Sequence, residues 1–141
     1  MTRLDASLGF LANRLAATLR DALEARLAGD GLTAPQWAVL MRLMEKEGWA
    51  QTELGESLGM DKATVGGIVQ RLERKKLIRR RRGGLDARRR RVSLTDAGRR
   101  LAKATAHFGE AVNAKALVGF SDAEEAALKT FLNRAYRTLA T

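Results

Sequence analysis

Cysteine is absent from this chain, which excludes disulfides, thiolate metal sites and thiol-based redox switching. Histidine occurs once, at His107, too few for a multi-histidine metal centre. Proline also occurs once, at Pro35, so almost nothing interrupts a helix. No apolar run approaches the ~20 residues needed to span a bilayer. The opening stretch MTRLDASLGFLANRLAATLRDAL carries charges throughout, unlike a secretory leader. No glycine-rich phosphate loop is present, and no serine or acid pair is spaced with a histidine. The expectation is a cytoplasmic protein that is not an enzyme, with no cofactor, no metal and no membrane partner.

What is present is helical and basic. The 141 residues suffice for one compact domain or two small lobes. Hydrophobic residues make up 45%, enough for a core, and Ala, Leu, Arg, Glu and Lys favour helix. The net charge of +10, from 26 basic and 16 acidic residues, points to a polyanionic partner.

Leu4, Leu8, Leu11, Leu15, Leu19, Leu23 and Leu27 recur at spacings of three or four, the stripe of one helix over residues 4–27. Gly29-Asp30-Gly31 breaks it. Thr33 is placed to cap the next helix, with Pro35 in its first turn and Gln36 completing a capping box. That helix carries Trp37, Leu40, Met41 and Met44 on one face and ends near Gly48. In QTELGESLGMDKATVGGIVQRLERKKL, residues 51–77, a short helix ends near Leu58, Gly59 makes a turn, and Asp61 caps a second helix. Val65, Ile68, Val69 and Leu72 face inward; Lys62, Ala63, Gly66, Gly67, Gln70, Arg71 and Arg74 face outward. Gly55 stands where the two helices cross and needs a small residue. This is a helix-turn-helix.

RRRRGGLDARRRRV, residues 79–92, follows directly. A charge run is usually a solvated face or a loose tail. Here Ile78, Val92 and Leu94 tether both ends, and Gly83-Gly84 marks a hairpin turn. A hairpin after a helix-turn-helix is the wing of a winged helix, and its arginines suit phosphates or a narrow minor groove. Thr95 caps a helix from Asp96 to about Val118, and Ser121 with Glu124 forms a capping box for a last helix over 122–139. There Leu128, Phe131, Leu132, Ala135 and Leu139 form an apolar stripe. Packing the two terminal stripes together, and against a second copy, would bury both.

LTAPQWAVL, LGMDKATVGGIVQRLERKKLI and above all DARRRRVSLTDAG resemble the MarR family of bacterial transcription regulators. The wing pattern is carried by Asp86, Arg88, Val92, Leu94, Thr95 and Gly98, and the matching core covers residues 32–98. The resemblance implies a homodimer that binds double-stranded DNA at a pseudo-palindromic operator. Residues 1–31 and 99–141 would form the dimerisation region, and 32–98 the winged helix-turn-helix. The helix at 61–75 would enter the major groove. The expected DNA-facing set is Gln51, Asp61, Lys62, Ala63, Thr64, Gly66, Gly67, Gln70 and Arg71, with Arg80, Asp86, Arg88 and Arg90 from the wing. Arg88 would reach the minor groove, held by Asp86. The resemblance further implies a repressor released by a small aromatic or phenolic effector; Phe10, Asn13, Arg14, Trp37 and Met41 are the candidate pocket residues, with core packing the competing role for Trp37 and Met41.

Two features depart from the family pattern. Gly66-Gly67 leaves the recognition helix without side chains at its middle, and Lys76 replaces the usual helix-ending glycine, which predicts a different helix end. One rival reading is a sequence-indifferent DNA- or RNA-binding protein, since arginines alone bind any duplex. Another is a protein-interaction module in which the terminal helices bind partners.

Overall fold

The computed structural model describes residues 3–83 and 86–141, with side chains at 82–89 outside the description. Among the described residues six α-helices and three strands follow in the order α1 (Leu8–Leu27), α2 (Ala34–Glu45), β1 (Trp49–Ala50), α3 (Gln51–Ser57), α4 (Lys62–Arg74), β2 (Ile78–Gly83), β3 (Asp86–Leu94), α5 (Asp96–Ala116) and α6 (Asp122–Ala140). The mostly helical class with a small sheet is as expected.

The caps fall where the sequence placed them. Thr33 Oγ1 accepts from Gln36 N at 3.2 Å, and Gln36 Oε1 accepts from Thr33 N at 3.1 Å. Ser121 and Glu124 repeat the arrangement at 3.1 and 2.9 Å. Each closes a helix entry by satisfying otherwise orphaned amides. The first helix is not continuous over 4–27: a 3-10 turn at Leu4–Ala6 leads to Ser7 in extended backbone, and α1 begins at Leu8. Serine competes poorly as a helix-interior residue, and periodicity alone does not register such a break. The second helix stops at Glu45 rather than Gly48, because Lys46 is already extended and Gly48 turns the chain at φ +70°.

That turn delivers a strand the sequence did not reveal. β1 pairs antiparallel with β3, Trp49 opposite Val92 and Ala50 opposite Arg91. The sheet order is therefore β1-β3-β2. The core gathers Leu27, Val39, Leu40, Leu43, Leu54, Val65, Val69, Leu72, Ile78 and Val92, so α2, α3, α4 and the hairpin base share one apolar interior.

In the single chain the terminal helices are only partly covered. α1 packs mainly along α5, and α6 buries none of its residues in the single chain. α1 and α6 face each other across a groove whose walls include Leu15, Leu19, Leu117, Phe120, Leu128 and Leu132. Among the described residues no helix is long and apolar enough to cross a membrane.

Candidate nucleic-acid interface

The helix-turn-helix is built on two glycines. A Cβ on Gly55 would lie 2.9 Å from Val65 Cγ1 and 3.2 Å from the Met60 carbonyl oxygen, so α3 and α4 cross there without room for a side chain. Gly59 holds φ +67° in the turn, a conformation glycine adopts without steric cost. Asp61 then starts α4, its Oδ1 accepting from Thr64 N at 2.7 Å. That hydrogen bond holds the Asp61 carboxyl below its ordinary range and keeps a negative charge at the helix's positive end.

Along α4 the predicted division of faces is complete. Val65, Ile68, Val69 and Leu72 are buried. Lys62, Ala63, Thr64, Gln70, Arg71 and Arg74 are exposed, with Gly66 and Gly67 half-exposed among them. A Cβ on Gly66 would make ordinary contact with Gln51 Nε2 at 3.6 Å, and one on Gly67 would meet nothing within 4 Å. No intramolecular packing therefore requires this diglycine. Gln51, half-buried on α3, lies across the notch.

The end of α4 corrects the expectation for Lys76. Leu77 N donates to Leu72 O at 3.0 Å and Lys76 N to Glu73 O at 2.9 Å, a Schellman motif. Lys76 occupies its left-handed position at φ +62°, so lysine adopts the geometry that glycine would supply more cheaply. Next to it, Lys75 Nζ donates to the Gly31 carbonyl at 2.5 Å.

The hairpin is in register from Ile78 opposite Leu94 to Arg82 opposite Arg90, with an irregularity between Arg82 and Gly83. Alternation puts Ile78 and Arg80 on the face turned to α4, with Arg79 and Arg81 on the other. Arg80, expected among the DNA-facing residues, is engaged within the chain. Its Nη2 lies 2.8 Å from Glu73 Oε1 and its Nε donates to Glu73 Oε2 at 3.3 Å. This fork holds the Glu73 carboxyl below its usual range. Arg91 is committed too, donating to the Gly48 carbonyl at 2.9 Å. Arg79, Arg81 and Arg90 are exposed. Asp86 and Arg88 belong to β3, but their expected pairing at the tip concerns side chains outside the described residues, as does the turn at Gly84.

The hairpin base is locked to the helix. Thr95 N donates to the Leu77 carbonyl at 3.0 Å, Thr95 Oγ1 donates to the Lys76 carbonyl at 2.7 Å, and that hydroxyl accepts from Gly98 N at 3.0 Å. A Cβ on Gly98 would collide with the Leu77 carbonyl oxygen.

Trp37 lines a cleft of about 380 Å³ between α1, α2 and α5. Its Nε1 donates to the Thr105 carbonyl at 3.3 Å, and Gly109 leaves room for the indole edge. The α1 wall of this cleft is Leu19, Arg20 and Leu23. Phe10, Asn13 and Arg14 do not line it; they lie further toward the start of α1, where the Arg14 guanidinium stacks 5.1 Å from the Phe10 ring centre. Met41 packs against the core. Among the described residues no group of three or more His, Asp or Glu could hold a metal.

The MarR family model matches residues 30–89, the helix-turn-helix and most of the wing. The transcriptional regulator HosA of Escherichia coli O157:H7 is 37% identical over 94 residues, 67% of this chain and 69% of its own length. The HTH-type transcriptional regulator TtmR of Methylorubrum extorquens is 38% identical over 98 residues, and the match spans 50% of that relative's length. The structure of the PcaV transcriptional regulator from Streptomyces coelicolor, in complex with its natural ligand, superposes with a TM-score of 0.87 at 29% identity, over 97% of this chain and 96% of that one. With the capped recognition helix, the arginine hairpin and these likenesses together, the chain belongs to the MarR family of winged helix-turn-helix transcriptional regulators.

Proposed function

We propose that this protein is a DNA-binding repressor that acts as a homodimer on a pseudo-palindromic operator. The observation that carries the reading is the exposed, capped face of α4 with the arginine hairpin fixed beside it by the Thr95–Leu77 and Arg80–Glu73 contacts. Lys62, Gln70 and Arg71 stand where a recognition helix meets base edges and phosphates. Residues 32–98 form the DNA-binding unit. Residues 1–31 and 99–141 supply the dimer contacts, through exposed Leu8, Leu11, Phe131, Leu132 and Tyr136.

Two recognition helices must sit about one DNA turn apart, ~34–36 Å. The Trp37 cleft lies where α1 and α5 meet α2, so a ligand wedged there would change that spacing. It would release DNA only by binding the two spacings unequally. An aromatic acid fits the lining: an indole to stack on, Leu19 and Leu23 for apolar contact, Arg20 for a carboxylate and Asn113 for a hydroxyl.

Equilibrium binding to duplex DNA from upstream of the protein's own gene, against a scrambled duplex at two salt concentrations, tests this. Preference for the native fragment by ~10³ or more is expected. The bare Gly66-Gly67 notch favours a second reading, DNA binding indifferent to sequence. Equal affinities that both collapse with salt would establish it.

A further inference from the structure

We propose that Glu73 and Arg80 are positioning residues that fix the angle of the wing against the recognition helix, and thereby set how sharply DNA sequence is discriminated. The inference rests on the DNA-binding reading above.

Glu73 stands in the last turn of α4, and Arg80 is the third residue of β2. The two elements are joined by a short turn through Lys76, and among the described side chains of β2 only Ile78 is buried in the core. β1 and the Arg91–Gly48 hydrogen bond hold the β3 edge of the hairpin, which leaves the β2 edge, facing α4, to the Glu73–Arg80 tie. Arg80 lies two residues further out than Ile78, roughly 7 Å along the strand, where a tie has leverage on the tip. The tie is a fork: both Glu73 oxygens are engaged by two different guanidinium nitrogens, which fixes orientation as well as distance. Its Arg80 side chain is only 19% exposed, so it is not spread into solvent like Arg79 or Arg81.

Charge makes the arrangement informative. An acid at the end of α4, 38% exposed and near Arg80 and Arg90, offsets positive charge that would otherwise attract phosphates. For simple affinity Glu73 is a disadvantage. For geometry it is required, because without it Arg80 loses the partner that sets the wing. The two roles predict opposite signs when the acid is neutralised.

The experiment begins with a duplex selected from a random-sequence pool by the wild-type protein. If the pool converges on no sequence, the repressor reading itself fails. With a selected duplex in hand, Glu73→Gln, Arg80→Lys and Arg80→Gln are compared with wild type on that duplex and on a scrambled one, with thermal melting of each free protein. Glu73→Gln is expected to bind the scrambled duplex as tightly as wild type or tighter. On the selected duplex it should bind about two- to fivefold more weakly, the range of a half-exposed ion pair. Hydroxyl-radical protection should shrink at the flanks reached by the wing and stay unchanged at the centre. Arg80→Lys keeps the charge but not the fork, and should lose discrimination in the same way. If Arg80→Gln melts too low to assay, these two variants carry the test. Tighter binding of Glu73→Gln to both duplexes with an unaltered footprint, or full discrimination by Arg80→Lys, would overturn the proposal and return Arg80 to the phosphate contacts.

Discussion

At the scale of the residue, four glycines of similar sequence appearance do different physical work. Gly55 and Gly59 were legible, since a helix crossing needs a small residue and the turn needs a positive φ. Gly98 could be matched to the family's wing pattern, but its reason lies in the Leu77 carbonyl, 21 positions away in sequence and in contact only after the hairpin closes. Gly98→Ala should therefore destabilise the fold by about 1–3 kcal/mol, the range for forcing atoms into a filled site. Gly67→Ala should do the reverse. Its Cβ would point into open space, and alanine is favoured in a helix interior by about 1 kcal/mol. Urea melts of the two variants would show opposite shifts in midpoint. If Gly67→Ala stabilises the protein yet weakens binding to the selected duplex, close approach of DNA backbone explains the glycine. Lys76→Gly, at φ +62°, should raise stability by about 1 kcal/mol because the left-handed cost to a residue with a Cβ disappears. No gain in that melt would mean that Lys76 makes compensating contacts.

At the scale of the element, caps were legible because they are local, and pairings were not because they are distant. Thr33, Asp61, Thr95 and Ser121 each announce a helix within three residues of sequence. β1 is two residues long, too short for any alternation, and exists only because β3 offers it an edge. The Arg80–Glu73 contact was legible in part. Strand alternation from Ile78 already places Arg80 on the inward face, and Glu73 is the acid on the neighbouring helix end. The start of α4 carries a pH prediction. Asp61 is depressed by the Thr64 amide, so the charged cap stabilises the helix above the ordinary carboxylate pKa of 3.8. That contribution is lost as pH falls through the lower folded value. The Thr64 amide resonance should titrate below pH 3.8 in the wild type. Asp61→Asn keeps an acceptor oxygen and removes the titration; Asp61→Ala removes both and frays the first turn. A Thr64 amide that titrates unchanged in Asp61→Asn would show that another group controls the helix start.

At the scale of the whole molecule, periodicity revealed which faces are apolar but not what covers them. The stripes on α1 and α6 are both real, yet the single chain uses α5 to cover part of α1 and buries no residue of α6 fully. Phe131 is 55% exposed, Tyr136 68% and Leu139 87%, and at the other end Leu4 and Leu8 are each 65% exposed. Aromatic and leucine side chains this exposed on two neighbouring helices form a patch of the kind that marks an association site. If a second copy covers it, stability is inseparable from protein concentration, because only the folded chain presents the patch. A tenfold increase in concentration should then add about 1.4 kcal/mol per mole of dimer, read as a rise in melting temperature. Leu132→Glu puts a charge into the groove wall shared with α1 and should abolish that dependence while leaving the 32–98 core folded. It should also turn binding to the selected duplex from one dimeric step into weak half-site binding, because two recognition helices would no longer arrive together. A melting temperature independent of concentration in the wild type, with an unchanged sedimentation coefficient for Leu132→Glu, would mean that α6 covers its face some other way and that each winged helix meets DNA alone.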